Sequence, residues 1–528
     1  MSGLTGTSGG TAQVTSTHRM FEARAVESLD LSGLDTSRVT DMSCMFRGCE
    51  RLESLDLSGF DTSHVTNMNA MFEGCTSLRS LDLSGFDASQ VKRTKAMFRG
   101  CTSLKRWAIS DTWPVRRYGA IPEPKTGGGW WSERESRLMS TDEIRARGPM
   151  ADSFTLKWPV VKEGTAWRVR DAFPHASTMS HLDLEDLDTS LFTTMHGMFI
   201  DCNYLQSLDL SGFDTSRVTD LSWMFAGCHH LQNLDLSGFD TSRVMDMSRL
   251  FNNCLRLKKL NLSSFNTSQV TNMGSMFNRC HCLGSLDLSG FDTSRVTNMC
   301  SMFSSCESLR SLELSGFDTS QVTDMAYTFF HCERLETLDL SGFDTSRVTD
   351  MLGLFEGCWR LKSLNLSGFD TSRVESMESM FKDCFALEAL DLSGFDTSRV
   401  TNMSWMFHGC RNLERLNLSG FDTSQVTDMG YMFQGCSALK CLDLSSFDTS
   451  RITDISGVGF FGTPCMFSGC TSLERLTVPA CWPVERRGAL PEATAACGKW
   501  WSERDGRWMT TDEIRARGPM ADTFTSAH

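Results

Sequence analysis

Tyrosine is nearly missing from this chain: four residues stand against 35 Phe and 30 Met in a length of 528. A bias of that kind is what repeated copying of one motif leaves behind. Positive charge is also scarce, with 51 Lys and Arg against 65 Asp and Glu, a formal charge of −14 and a pI near 5.3. Binding along a phosphate backbone needs clustered Lys and Arg, so nucleic acid is not an expected partner. No segment approaches ~18 uninterrupted apolar residues, the length that crosses a bilayer as a helix, so no membrane insertion is expected. Catalytic signatures are missing too: there is no Gly-x-Ser-x-Gly, no phosphate-cradling glycine loop and no His-Glu-x-x-His. The sequence therefore predicts a protein without enzymatic activity, cofactor or metal. The first 28 residues hold no basic segment followed by an apolar run, and the chain ends ADTFTSAH. From this text neither an export signal nor an anchor is expected.

What is abundant is cysteine, 21 in all, and the odd count and placement argue against a disulfide framework. Cys49, Cys75 and Cys101 follow Met-Phe at intervals of 26 residues. Cys202, Cys228, Cys254, Cys280, Cys306, Cys332, Cys358, Cys384, Cys410 and Cys436 continue at the same interval, with variants of Met-Phe before Cys254, Cys332 and Cys358, and Cys470 arrives after 34 because eight extra residues around 457–465 interrupt the last coil. The chain thus carries 3 + 11 = 14 copies of one unit.

A clean copy is LESLDLSGFDTSHVTNMNAMFEGCTS, residues 52–77. The alternation Leu55, Asp56, Leu57, Ser58 predicts a short strand with one buried face. Gly59 allows a turn, and Asp61 and Ser63 offer oxygens that cap backbone N–H groups. Val65, Met68, Met71 and Phe72 recur at three-to-four spacing, and Gly74 sits where a helix end needs a positive φ. Each unit reads strand, turn, short helix, turn. A unit of this size cannot bury its own apolar stripe, so the copies must stack into one continuous core. The expected fold is an α/β repeat solenoid of right-handed coils, each contributing a short parallel strand and a short helix or turn.

The repeat lapses after Cys101, and the intervening text GGGWWSERESRLMSTDEIRARGPMADSFT returns at the end of the chain as GKWWSERDGRWMTTDEIRARGPMADTFT. A module that twice follows the last repeat fits a cap shielding the open apolar end of a solenoid. Trp130, Trp131, Trp500 and Trp501 are its packing residues, and the alternative use of such a pair is to bind a sugar face. The expected organisation is a disordered segment 1–20, a short array 21–107, a capping module 108–155, a linker and atypical first coil 156–180, a long array 181–476 and a second cap 477–528.

The unit LxxLDLSGFDTSxVTxMxxMFxGC resembles that of the BspA-like leucine-rich-repeat surface proteins of mouth and gut bacteria. The resemblance covers roughly residues 25–525, the ending ADTFT included. It implies a cell-surface or secreted protein, in some members an adhesin that engages host matrix proteins or other bacteria. No catalytic residues come with it. Members usually bring an export signal and an anchor, and this text departs from that pattern at both ends. The expected function is accordingly a non-catalytic adhesin for a protein or glycoconjugate on a host or bacterial surface. The alternative is a non-exported interaction scaffold.

The outward strand position is held by Asp209, Asp235, Asp287, Glu313, Asp339, Asp391 and Asp443, as by Asp30, Asp56, Asp82 and Asp183, with Asn261, Asn365 and Asn417 in other coils. This column is an acidic ladder on the sheet face and the candidate binding site. Like charges at ~5 Å repel, so solvent, neighbouring Ser and Thr, a basic partner or divalent cations must relieve it. The Asp of each FDTS turn reads as a cap. The Arg or Gln two residues past FDT, such as Arg295 and Gln269, reads as a solvated edge. The repeated cysteines read as small core fillers, and Cys280, His281 and Cys282 lack the second pair a zinc site needs. Trp223, Arg249, Tyr327, Trp359, Trp405, His408 and Tyr431 vary between coils and are candidate interface anchors.

Overall fold

A computed structural model describes residues 14–124, 129–157, 168–169, 180–182, 184, 187–452, 466–484, 486, 489–491, 493 and 498–526. The chain divides into two compact units, Met1–Val160 with Ala172–Pro174, and Val161–Asp171 with His175–His528. The first contains β1 (Ser80–Leu83), β2 (Arg106–Ile109), β3 (Gly129–Ser132), β4 (Arg137–Met139), α1 (Thr141–Arg147) and β5 (Asp152–Lys157). The second contains β6 (His181–Leu182), β7 (Ser207–Leu208), β8 (Asn233–Asp235), β9 (Lys259–Asn261), β10 (Thr337–Asp339), β11 (Ser363–Asn365), β12 (Ala389–Asp391), β13 (Arg415–Asn417) and β14 (Cys441–Asp443). It closes with β15 (Arg475–Val478), β16 (Trp500–Ser502), β17 (Arg507–Met509), α2 (Thr511–Arg517) and β18 (Asp522–Ser526). Each unit is a solenoid of stacked coils with a repeat of about 26 residues. No helix among the described residues is long and apolar enough to cross a membrane.

Of the short helix or turn expected over the Met-Phe half of each unit, the turn forms. Met42, Cys44, Phe46 and Gly48 donate their N–H groups to Asn67, Asn69, Met71 and Glu73 of the next coil at 2.7–2.9 Å. The N–H groups between them, of Met45, Arg47 and Cys49, close tight turns onto Met42, Cys44 and Phe46 at 3.1–3.4 Å. An α-helix would send every N–H back four residues. Here the adjacent coil supplies half of the acceptors, and left-handed φ at Cys44 (56°) and Gly48 (71°) turns the chain so that alternate N–H groups point along the stack. That conformation costs roughly 1–2 kcal/mol for a residue other than glycine, offset by the inter-coil bond. The result is a turn-side ladder of parallel bridges, Asp220↔Asp246↔Asn272↔Asn298 and onward to Asp428. Gly59, expected to relax the turn after the strand, has no left-handed φ and open space where a side chain would stand. That turn is closed by Phe60 N–H donating to Leu57 O at 3.0 Å.

On the other side the strands pair in parallel and in register. Asn233↔Lys259, Leu234↔Leu260 and Asp235↔Asn261 join β8 to β9; β10 joins β11 and β12 joins β13 in the same way, with Asp339↔Asn365 and Asp391↔Asn417. Paired positions in β1–β2 and β14–β15 are Asp82↔Ala108 and Asp443↔Thr477. Among the described residues no such ladder joins two carboxylates. The coils bearing Asp287 and Glu313 in succession form no strand at all.

Between the two sides runs the core. Val, Met, Phe and Cys of each Met-Phe half are almost without exposure, and the phenylalanines stack ring on ring. Phe303, Phe329 and Phe355 follow one another at 5.8 and 5.7 Å. A second internal column is the Thr of FDTS. Thr345 Oγ1 accepts the N–H of Asp370 at 2.9 Å and donates to the Asp370 carbonyl at 2.8 Å, with Thr345 fully buried. In this way each coil's turn grips the next.

Each array ends on the repeated module. In the first, β5 runs antiparallel to β2 and β3, with β4 at the edge; in the second, β18 pairs with β15 and β16 in the same order. The helices begin with matching capping boxes, Ser140 with Glu143 and Thr510 with Glu513. Trp130 and Trp500 are buried, Trp130 standing 5.7 Å from Trp107. Trp131 and Trp501 lie half-buried on the opposite strand face, so neither pair forms a two-ring platform for a sugar.

The disorder expected over 1–20 does not extend to residues 14–20. Thr17 N–H bonds Asp41 O at 2.9 Å, and Phe21 stacks on Phe46 at 5.7 Å, making an extra half-coil whose Met20-Phe21 was overlooked as a repeat copy. Residues 1–13, Asp183, the interruption 457–465 and most of the linker lie outside the described residues.

Candidate functional site

The sheet-face ladder is exposed at Asp209, Asp235, Asp287, Glu313, Asp339, Asp391 and Asp443. Each carboxylate accepts the N–H of the serine two residues on, at 2.9–3.0 Å. These serine bonds hold the carboxyls of Asp209, Asp235, Asp287, Glu313, Asp339 and Asp391 below their ordinary values. Neighbour repulsion is felt at Glu313, from Asp339, whereas Asn261 Nδ2 donates to Asp235 Oδ1 at 3.1 Å. A depressed folded pKa favours the fold while the group is ionised, a contribution lost only as pH falls through that pKa. The ladder is therefore relieved internally, by Ser and by interleaved Asn.

The FDTS aspartates cap no helix, because none follows. Asp61 Oδ1 accepts the N–H of Ser63 at 3.0 Å, closing a local turn, and Asp292 and Asp396 do the same with Ser294 and Ser398. The arginines after FDT bond glutamine in the coil before them: Arg295 to Gln269, Arg347 to Gln321 and Arg451 to Gln425.

The repeated cysteines among the described residues are free thiols and more than fillers. Cys332 Sγ donates to Phe303 O and Cys358 Sγ to Phe329 O, at 3.3 and 3.2 Å. Burial pushes Cys254, Cys306, Cys358 and Cys410 up to about 12. Since the thiolate is the reactive form, brief alkylation of native protein at pH 8 is expected to label the exposed Cys441 and Cys481 and to spare these four. Peptide mass mapping before and after denaturation checks it, and rapid labelling of Cys306 in native protein would refute the buried column.

The variable residues gather on the turn side of the long array. Trp223, Arg249, Tyr327, Trp405 and Tyr431 occupy one position of successive units, the left-handed residue of the Met-x-x-Met-Phe segment, with φ of 56–62°. Arg249 Cζ lies 4.5 Å over the Trp223 ring. Trp405 stacks on Tyr431 at 4.3 Å, and Lys382 Nζ sits 5.3 Å over Trp405 while bonding Glu356 at 2.8 Å. His408 lies 4.8 Å from Trp405, its Nδ1 3.6 Å from Asp383 Oδ1. Trp359, 39% exposed, stacks on Phe385 at 6.1 Å, and Arg411 Cζ covers Phe385 at 4.5 Å. Tyr327 leans over Gly353, whose Cβ would stand 2.6 Å from the ring.

Beside these rings runs the half-buried column Asp324, Asp350, Ser376, Asn402 and Asp428. Burial, with Asp350 nearby, raises the Asp324 carboxyl; burial, then Asp428, raises Glu378, which accepts Asn402 Nδ2 at 2.8 Å. The strip thus combines aromatic rings, basic groups and partly dehydrated carboxylates, a mixture suited to recognition. Sequence reading found seven of its members but missed Glu356, Lys382, Phe385 and the acidic column. The signal for the column was the recurring TDM or TNM text.

The family model described as "Mycoplasma protein of unknown function, DUF285" matches residues 10–117, 168–286, 282–390 and 375–475, well over half of the chain. The chain belongs to this family. Members of DUF285 carry no assigned activity in that description, so the family gives the coils a pedigree and leaves the ligand open. No curated protein matches the chain. Among solved structures it is similar to a leucine-rich repeat protein from Bacteroides ovatus, at 15% identity over 76% of this chain and 81% of that one, with a TM-score of 0.31. A leucine-rich repeat protein from Eubacterium ventriosum matches at 18% identity over 55% and 76%, with a TM-score of 0.31. An internalin of Listeria monocytogenes matches at 13% identity over 79% and 86%, with a TM-score of 0.22. At scores this low these likenesses carry no weight for this DUF285 chain beyond their mention.

Proposed function

We propose that this protein is a non-catalytic interaction scaffold acting at a cell surface, where the turn side of its long array binds a protein or glycoconjugate of a host or bacterial cell. One observation carries the reading: one turn-side position that varies between coils holds Trp223, Arg249, Tyr327, Trp405 and Tyr431, small residues such as Ser275 and Gly353 filling it elsewhere, and Trp359 and His408 gather beside these rings. Positions that serve stacking, such as the Phe, Cys and Thr columns, keep their identity from coil to coil. Aromatic and arginine side chains concentrate binding energy at interfaces. The sheet-face ladder supports a second reading, a basic partner, because Asp287 and Glu313 lie in successive coils that form no strand, next to Asp339 in the following coil.

Labelled protein incubated with fixed epithelial and bacterial cells, and followed by flow cytometry, tests both. Saturable binding is expected to fall at least about 30-fold, the weight of a ~2 kcal/mol hot spot, in Trp405→Ala/Tyr431→Ala. It should persist in Asp287→Asn/Glu313→Gln/Asp339→Asn. The reverse pattern would move the site to the sheet face, and the absence of saturable binding to any cell would overturn the surface role. Protease treatment of intact producer cells, removing a C-terminal tag while a cytoplasmic control survives, tests the location independently.

A further inference from the structure

Within the short array a coil hands four turn-side N–H groups to its successor, the last three being Ala70, Phe72 and Gly74, which donate to Lys95, Met97 and Arg99 carbonyls at 2.8–3.0 Å. Ala96, Phe98 and Gly100 hold the same positions in the last coil, where no further coil follows. On the sheet side the cap takes over, β5 pairing with β2. On the turn side the cap reaches only the start of this edge, Thr94 Oγ1 donating to Tyr118 O at 3.0 Å and Arg117 to Lys92 O at 2.9 Å, and among the described residues no acceptor meets the N–H groups of Ala96, Phe98 and Gly100. They line a pocket of about 480 Å³ instead, within the range of ligand sites. Phe467 and Gly469, the matching residues at the end of the long array, are left in the same state.

The pocket's surroundings define what fits. Ile121 and Pro124 line it beside the backbone edge, and Tyr118 at its rim is 79% exposed. Arg99, 79% exposed and 3.7 Å from a Glu73 that Arg47 already holds at 3.0 Å, brings positive charge to a row of N–H dipoles that is itself electropositive, whereas Arg145 is neutralised by Glu123 at 2.7 Å and Asp142 at 2.9 Å. A complete coil cannot stack here, because Trp107 already covers Phe98 at 6.4 Å. A single extended chain can. Donors on alternate residues match the alternate carbonyls of a strand, as in edge-strand recognition of peptides.

We propose that this pocket docks an extended acidic peptide segment of a partner protein, its carbonyls accepting from Phe98 and Gly100 and its carboxylates meeting Arg99. The site belongs to the short array and is independent of the strip described above.

The test selects from a displayed pool of random nine-residue peptides on the full-length protein and measures the recovered peptide by fluorescence anisotropy. Ala96→Trp fills the pocket with a residue the same position already accepts at Trp223 and Trp405; Arg99→Glu reverses the exposed charge. Recovered peptides should be net acidic, bind Arg99→Glu at least tenfold more weakly and lose measurable binding to Ala96→Trp. The amides of Phe98 and Gly100 should exchange at least tenfold more slowly in the complex. Recovery of no peptide, recovery of cationic peptides, or equal binding to wild type and Ala96→Trp would overturn the proposal.

Discussion

Phe329→Ala is expected to destabilise the long array by about 3–5 kcal/mol, the range for truncating a buried phenylalanine, and to split its unfolding into two steps. Phe329 has no exposure and lies between Phe303 and Phe355, its ring within 5.8 Å of each. Its backbone also joins coils, the N–H donating to Leu354 O at 3.0 Å and the carbonyl accepting Cys358 Sγ. In a solenoid each coil touches only its neighbours, so stability is close to a sum of nearest-neighbour terms. A cavity in the middle weakens one link and leaves the coils on either side intact. Urea unfolding followed by fluorescence and by far-UV circular dichroism should give separated midpoints in the variant and coincident ones in wild type. Phe329→Leu, which keeps most of the volume, should lose less than about 1.5 kcal/mol. A single cooperative transition in Phe329→Ala, shifted by under 1 kcal/mol, would refute the stacked core as the element that couples the coils.

Asp522→Ala is expected to cost about 3–5 kcal/mol by stranding a buried charge. The Asp522 side chain is 1% exposed and receives Arg517 Nη1 at 2.7 Å and Ser502 Oγ at 2.5 Å, with the backbone N–H groups of Arg504 and Thr523 on its other oxygen at 3.1 and 2.8 Å. Arg517, 11% exposed, would keep Asp505 at 2.7 Å and the Ser502 hydroxyl at 3.3 Å. This network ties α2 to β16 and β18, and β18 closes the apolar end of the array through β15. Loss should therefore begin at the cap. Hydrogen exchange resolved along the chain should show faster exchange over 475–526 with coils near residue 303 unchanged. Double replacement by isosteric apolar residues, Asp522→Leu/Arg517→Met, should recover much of the loss, because it removes both charges from the interior. The same network recurs in the first cap as Asp152, Arg147 and Ser132, and Asp152→Ala should act likewise on the short array.

The two caps show how far local text reaches. Their recurrence after each run of repeats was visible as sequence, whereas their capping boxes, Ser140 with Glu143 and Thr510 with Glu513, came only with the structure. So did what ties them down: Asp152 and Arg147 meet because β5 folds back beside β3, a pairing no local pattern announces. The candidate site follows the same rule. Trp223, Trp405 and Tyr431 stood out because they break a repeat, yet only stacked coils bring Lys382 over Trp405 or Arg249 over Trp223. The sheet-face ladder was legible as a column and its strain was overestimated. Serine N–H groups and interleaved asparagines relieve it, and it shows itself instead in which coils form strands.

From the amino-acid text alone came the period of 26, the parallel strands at Leu-Asp-Leu in those coils that form one, which the clean copy does not at residues 55–58, and the burial of the cysteine column. These follow from spacing and hydrophobic pattern, which act within one unit and repeat with it. The choice of bridged turns over a short helix was decided by tertiary structure. Apolar residues at three-to-four spacing bury equally well in either form, and the choice rests on where the backbone N–H groups find acceptors. For Met42, Cys44, Phe46 and Gly48 those acceptors lie on residues about 25 positions away, in a coil that exists beside them only once the chain has wound.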